Sequence, residues 1–539
     1  MYWKPANLSR WLFDSERGSP HALVSRWLFL RALGLIYFSA FLSLIYQIRG
    51  LIGPSGILPA SEYLQAVTNS VGHARYWYAP TVFWFSTSSH MLMALSYVGA
   101  ITSLLLVINI CPRAMLGVCF VCFLSFVSAA SEFSGYQSDG MLLEAGFISL
   151  FFAPPGWRPG LAREHPSMRA ATFLLLWEWF RIYFESGVAK VISGDPQWRH
   201  FTAMDEYYQN GPLPTWLGWY AQHLPHWFHA STAFATLAIE LVVVWMLFLP
   251  RRFRIVGFFI VTPLQVAIIL TANYAFLNYL VLSLGVLLLD DRFLAQFLPP
   301  DSKHGFLSTE APSLEALGGE QTDDHATADR GRRLRTTLRI TATTFIFAWL
   351  FYSSATLMLW MLRLGLLLPT TPVTLLEPSR IAGRYGLFAV MTRGRYEIEF
   401  QGSNDGHTWV PYPFRFKPQN PAKAPGIYAP YQPRFDWNLW FASLGEWRDN
   451  PLVPSTEERL LQADPDVLKL FAANPFPDHP PSQVRAVLWQ YWFTTSAEKR
   501  EQHAWWRREF LGLYAPTIER DVNGKLGVIE WPQSLSPHE

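Results

Sequence analysis

Apolar residues fall in long unbroken runs through the first two thirds of this chain and in short alternating runs through the last third. A run of about 20 apolar residues is the length that crosses a hydrocarbon core. The pattern therefore predicts a polytopic α-helical membrane bundle. Nine helices are expected, over 26–48, 89–110, 113–132, 139–154, 169–191, 229–249, 254–271, 275–290 and 340–365. Between the first two, a Gly/Pro turn (GLIGPSGILP) precedes an aromatic stretch (RYWYAPTVFWF) suited to the membrane interface.

From about residue 378 the period shortens. In RYEIEFQGSNDGHTWVPYPFRFK (395–417) apolar and polar residues alternate on both sides of an Asp-Gly turn, a β-hairpin signature. The preceding GRYGLFAVMT (383–392) reads as a third strand. Helices are expected over 454–474 and 481–493, and a last β-like piece over 500–515. The bundle is thus followed by an α+β domain with a small antiparallel sheet.

The helix over 169–191 breaks the apolar rule. Glu178, Arg181 and Glu185 are spaced by three and four and share one face, and Lys190 follows near the end. Ionisable groups at membrane depth are costly and pair inside a bundle or line a polar cavity. A buried charge network of Asp139, Glu144, Glu178, Arg181 and Glu185 is expected, with Glu240 as a further candidate and Asp139 capping the fourth helix. For Lys190 two readings stay open. It pairs or snorkels to the interface, or it is a desolvated base.

Composition sharpens the class. Half of the residues are hydrophobic and only 16% are charged, against about 25% in soluble domains. A net charge of +2 with no basic aromatic cluster gives no nucleic-acid signal. Cys111, Cys119 and Cys122 all lie in or beside one apolar segment and read as small buried side chains, so the distal domain folds without disulfides. The first 25 residues lack the apolar core of a signal peptide, and the first apolar helix is expected to act as an uncleaved anchor.

Lys and Arg concentrate before the first helix, at Arg113, at Arg158 to Arg169, at Arg251 to Arg254 and at Arg330 to Arg339. The positive-inside rule then sets the organisation. Residues 1–25 are a cytoplasmic segment. Residues 26–291 are the transmembrane bundle, with outside loops 49–88 and 193–228. Residues 292–339 are a cytoplasmic linker, 340–365 the last transmembrane helix, and 366–539 the extracytoplasmic domain.

Other chemistry is sparse. His200, His223, His226 and His229, with Asp195 or Asp205, are either metal ligands or interfacial aromatics, and no metal is assigned. There is no G-x-S-x-G, Walker loop or dinucleotide fingerprint, and no cofactor is expected. Arg434, Asp436, Trp437 and Trp440, in a Trp/Tyr/Pro-rich stretch, read either as a client-binding surface or as an ordinary aromatic core.

Several separated motifs resemble the lipase maturation factor family. They are FLRALGLIYFSAFLSLIYQIRGLIGPSGILP, YQSDGMLLEAGF (136–147), SGVAK (186–190), GPLPTWLGWYAQHLPHWFH, YEIEFQGSNDGHTW and YQPRFDWNLWFASLG. The resemblance implies a polytopic membrane protein, with its distal domain in the secretory lumen, that helps lipases fold and assemble. The chain departs from that setting in having no lumenal cysteine and no retention signal. Both an endoplasmic reticulum membrane and a bacterial inner membrane, with the distal domain in the periplasm, are therefore open. A fainter likeness to the membrane part of vitamin K-dependent γ-carboxylase rests on the Gly-x-x-Lys ending at Lys190, which there serves as base. Two functions follow. One is a non-enzymatic maturation factor whose partners are secreted lipases and the bilayer. The other is a carboxylase-like membrane enzyme using Lys190. A transporter is disfavoured by the lack of an inverted repeat.

Overall fold

The computed structural model describes residues 11–13, 22–162, 164–297, 326–520 and 525–533, with side chains from 334 onward in the last long helix. The N-terminal segment and the linker expected over 292–339 fall largely outside these residues.

Helices stand at the nine expected positions: α1 (Leu23–Ile52), α2 (Ser89–Val107), α3 (Pro112–Ala129), α4 (Gln137–Phe152), α5 (Arg169–Ile192), α6 (His226–Leu241), α7 (Arg251–Thr271), α8 (Leu277–Gly285) and α9 (Ala326–Met361). Among the described residues, six spans are long and apolar enough to cross a membrane. They are Leu23–Ile52, Ser89–Val107, Pro112–Ala129, His226–Phe248, Arg251–Thr271 and Leu334–Met361. The other three helices differ for physical reasons. Helix α4 has only 16 residues, the apolar span at α8 is short (Leu277–Leu288), and α5 carries charges. Helix α5 is nevertheless largely enclosed. It packs against α4, α6, α8 and α9, and Glu178, Arg181 and Glu185 on it are fully buried.

The distal region holds a six-stranded sheet with the order β2-β1-β3-β5-β6, with β4 also on β3. Its strands are β1 (Arg395–Ser403), β2 (Val410–Pro411), β3 (Gln483–Phe493), β4 (Trp506–Leu513), β5 (Thr517–Arg520) and β6 (Leu526–Glu530). The hairpin turn is where the alternation places it. Gly406 takes φ +74°, and the Asp405 carboxylate accepts from the His407 and Thr408 N–H groups at 2.8 and 2.7 Å. Those hydrogen bonds hold its pKa well below the usual carboxylate range.

Four sequence expectations change here. Residues 481–493, read as a helix, form β3, which pairs with β1 from Arg395↔Tyr491 to Ser403↔Gln483. Its Val and aromatic residues (QVRAVLWQYWF) suit a buried pleated surface better than a helix. The helix over 454–474 splits into α11 (Leu452–Leu461) and α12 (Pro465–Leu468), because Asp464 caps a new start before Pro465. Residues 383–392 are no strand but an irregular strap lying across the bundle. The last piece begins as a short helix, Ser496–Gln502, with a Thr495/Glu498 capping box, before β4.

One continuous hydrophobic core runs from the bundle into the distal region, joining Leu44, Ile48 and Leu51 of α1 with Phe435, Leu470 and Phe471. Polar residues on or beside apolar helices stitch the junction. Gln47 donates to Tyr431 Oη and the Gln432 carbonyl, each at 2.9 Å. Asn273 accepts from the Tyr428 and Ala429 N–H groups at 2.6 and 3.0 Å. Arg49 pairs with Asp466 at 2.8 Å. Between them α1 touches α12 so closely that a Cβ on Gly50 would lie 2.4 Å from the Asp466 carbonyl oxygen.

That contact gives a prediction. Gly50→Val should lower stability by about 1–3 kcal/mol through overpacking against backbone that cannot move aside. Thermal unfolding in detergent micelles would show it, whereas a Tm equal to the parent's would mean that the junction is loose at α12.

Candidate functional site

Three groups of buried charge hold the distal region onto the bundle. The first surrounds α5. Arg181 bonds to the Glu144 carboxylate on α4, lies 3.9 Å from Glu185 and donates to the Gly383 carbonyl at 2.7 Å. The second Glu144 oxygen accepts from Tyr385 Oη at 2.6 Å and from the Gly383 N–H at 3.2 Å. Glu185 accepts from the Tyr385 N–H at 2.6 Å. The strap residues Gly383 and Tyr385 thus complete a network begun by α4 and α5. Glu178 sits on the same face of α5, fully buried, and neither of its oxygens has a hydrogen-bond partner among the described residues.

The second group corrects two expectations at once. Asp139 neither joins that network nor caps α4. It forms a two-pronged pair with Arg434, at 2.8 and 2.9 Å, and Arg434 also donates to the Phe133 carbonyl at 2.7 Å. Both side chains are buried. Arg434 is therefore not a surface group for a client. It lies at the start of α10 (Arg434–Ala442), and the pair clamps that helix to the start of α4. Asp436 is buried as well. It accepts from the Phe416 and Lys417 N–H groups at 3.2 and 3.1 Å. Sequence reasoning allowed this stretch as a client-binding surface because it is rich in aromatic residues; its Arg and Asp are instead satisfied inside.

The third group is at Lys190. Its ammonium pairs with Glu240 of α6 at 2.8 Å, donates to the Leu387 carbonyl at 3.0 Å and lies 5.2 Å from the Trp198 ring centroid. So engaged, the amine joins α5, α6 and the strap. The neighbouring strap is fixed residue by residue. The Gly386 N–H donates to Gln137 at 3.0 Å, the Leu387 N–H to Ser186 at 3.2 Å and the Met391 N–H to Asp195 at 2.7 Å. Among the histidines, His226 and His229 approach Asp205 at 3.0 and 3.3 Å. His223 instead contacts the Trp219 carbonyl at 2.6 Å. Among the described residues no three His, Cys, Asp or Glu side chains are grouped to hold a metal.

These clamps frame a cleft of about 410 Å³. Its walls come from the start of α4 (Tyr136, Ser138), the 193–228 loop (Tyr207, Asn210), the strap (Gly386–Thr392) and α10 (Trp437, Trp440). The size is at the lower end of ligand pockets. Trp437 and Trp440 are nearly buried, whereas Phe441, Leu444 and Val390 are exposed in its walls. Tyr136 and Trp437 meet at a ring separation of 4.9 Å. Of these residues, sequence reasoning picked out Trp437 and Trp440. It missed the strap, whose short apolar run looks like a strand.

Comparison with known proteins gives matches in both regions. The lipase maturation factor transmembrane domain model matches residues 24–296, and the lipase maturation factor C-terminal domain model matches 381–516. The chain is 32% identical over 527 residues to lipase maturation factor 1 of Bos taurus, covering 94% of this chain and 91% of that protein. It is 32% identical over 594 residues to lipase maturation factor 2 of Homo sapiens, covering 92% and 82%. No solved structure matches.

Two predictions follow from the charges. Arg434→Ala should cost about 3–5 kcal/mol, because it strands a buried carboxylate, and Asp139→Leu combined with Arg434→Met should recover much of that loss. Denaturant unfolding of the full chain in micelles checks both. Equal losses for the single and double variants would contradict a coupled pair. Asp436 gives a pH dependence. Burial pushes its carboxyl up to about 6, above the ~3.9 of an unfolded chain. The folded state therefore holds that proton more tightly, and the associated stability is full below about pH 4 and lost as pH rises through about 6. Asp436→Asn keeps an acceptor for both N–H groups and should remove a loss of roughly 3 kcal/mol between pH 4 and 7. Parallel Tm–pH curves for the two proteins would contradict this.

Proposed function

The chain belongs to the lipase maturation factor family, and from that membership we propose that it is a membrane-anchored maturation factor for secreted lipases, with the distal region engaging the client. The observation that carries this is that likeness spans both the membrane region and the distal region, which are here packed as one body around a shared core. Helices α4, α5 and α8 lie at membrane depth with the six longer spans, giving about nine helices. In this reading the N-terminus and the 292–339 linker face the cytoplasm, while loop 193–228 and residues 366–539 face the secretory lumen or the periplasm. Exposed Tyr76, Trp77 and Tyr78, with Trp216, Tyr220 and Trp227 of the other outside loop, suit an aromatic belt at the outer interface.

The surface offered to the client is the rim of the cleft, with Trp437 and Trp440 as aromatic anchors. Arg434 and Asp436 act behind it by setting the position of α10. The role asked of the protein is conformational, and the buried charges serve to hold a binding surface in shape.

The test is a strain lacking the gene, complemented with wild type or with Lys190→Met combined with Glu240→Leu. Secreted lipase activity per mass of lipase, together with the intact mass of that lipase, is the readout. Deletion is expected to lower specific activity without changing the mass, and the double variant, which removes both charges of the pair, is expected to restore it. A lipase mass shift that disappears with Lys190 would instead make the protein a modifying enzyme.

A further inference from the structure

Helix α5 ends at the strap and begins beside a second cavity, of about 400 Å³, at the far end of the bundle. Three arginines and one carboxylate line it: Arg251 and Arg254 in the first turn of α7, Arg292, and Asp290. The carboxylate is already spent. It makes a two-pronged pair with Arg251, one bond at 2.8 Å, and accepts from the Phe293 N–H at 2.9 Å. The next carboxylate, Asp291, is turned instead to the Leu23 and Val24 N–H groups, at 2.8 and 2.9 Å. Arg254 acts on Asp290 only through its field, and among the described residues neither Arg254 nor Arg292 makes a hydrogen bond or an ion pair. The cavity therefore carries a net charge of +2.

These groups are open to an occupant. Arg292 is exposed, Arg254 is half-buried, and the Arg251 side chain keeps 41% of its surface. A guanidinium is always charged, and its fork matches phosphate oxygens in pairs. Cations in the first turn of a helix also oppose its macrodipole, so the arginines of α7 weigh against stability until an anion joins them. The rest of the surroundings are apolar. Leu176 of α5 and the leucines at 287–289 form a buried part of the wall. Along α7, Phe253, Val256, Phe259 and Ile260 are exposed, on a helix long and apolar enough to cross a membrane. A matching ligand is an anion at one end and hydrocarbon along the other. Inorganic phosphate and an acidic peptide bring only the first part.

We propose that this cavity binds the phosphate headgroup of an anionic phospholipid, with Arg254 and Arg292 forking onto the phosphate and the acyl chains lying along the exposed face of α7. Basic residues near a membrane surface attract anionic lipid in general. Two unspent guanidinium groups in one cavity, beside an apolar wall, turn that attraction into a defined site and make the stability of the bundle depend on the charge of the leaflet at this end.

The test uses the full-length protein in nonionic detergent micelles, with dioleoylphosphatidylglycerol as the probe and thermal unfolding and native mass spectrometry as readouts. A saturable rise in Tm with a tightly retained lipid is expected, and dioleoylphosphatidylcholine should bind more weakly by on the order of 10-fold. Arg254→Gln combined with Arg292→Gln strands no carboxylate. Its Tm without lipid should match the parent's, while its affinity for the anionic lipid falls by on the order of 10-fold. Arg254→Lys combined with Arg292→Lys keeps the charge but not the forks, and should fall in between. Arg158→Gln combined with Arg252→Gln removes the same charge from exposed positions outside the cavity, and should leave binding unchanged. No saturable binding by wild type, equal binding of the zwitterionic lipid, or equal losses from the two Gln pairs would each overturn the proposal, the last reducing these arginines to diffuse surface charge. Full displacement of the lipid by inorganic phosphate would overturn it too, assigning the cavity to a free anion.

Discussion

The buried pair of Asp139 and Arg434 is the constraint on which the arrangement depends. Removing either ion from water carries a penalty of several kcal/mol that only its partner, held in good geometry, can offset. One charge belongs to the first turn of α4 in the bundle and the other to the distal region. Neither half can present a stable surface there without the other. The same logic recurs where Tyr385 and Gly383 complete the Arg181–Glu144–Glu185 network, and where Leu387 accepts from Lys190. Charges that would be a burden in a membrane helix become registration points for the strap and for α10.

Registration matters because the cleft has no wall of its own. It lies where α4, the 193–228 loop, the strap and α10 meet, and each of these is pinned by a different polar contact. Arg395 at the start of β1 adds another, donating to the Gln209 and Pro212 carbonyls of that loop at 2.9 and 3.0 Å. A protein that shapes other proteins needs a surface that does not itself yield, and here rigidity comes from charge pairing and from the shared hydrophobic core.

Much of this was legible from residue order, for identifiable reasons. Apolar runs locate helices because hydrocarbon imposes their length, so α1, α2, α3 and α7 stand close to where periodicity predicts them. The spacing of Glu178, Arg181 and Glu185 puts them on one face whatever the surroundings. What could not be read is what lies across the interface. Nothing local to Asp139 says that its partner is 295 residues away, and Gln47 and Asn273 look like isolated polar interruptions until the 426–432 segment meets them. The strand at Gln483–Phe493 was misread because a short apolar run has no period of its own. The strap was misread for the opposite reason: its apolar residues face a bundle and not a sheet.

The most direct test of the one-body arrangement is to cut the chain between its halves. Leu367, in the loop after α9, is fully exposed, and a protease site inserted there would sever the distal region after folding. Co-purification of the two pieces in mild detergent, with cleaved protein still raising lipase specific activity in a reconstituted assay, is the expected result. Pieces that separate on cleavage, with the distal piece alone as active as the whole, would contradict an arrangement in which bundle and distal region work only when locked together.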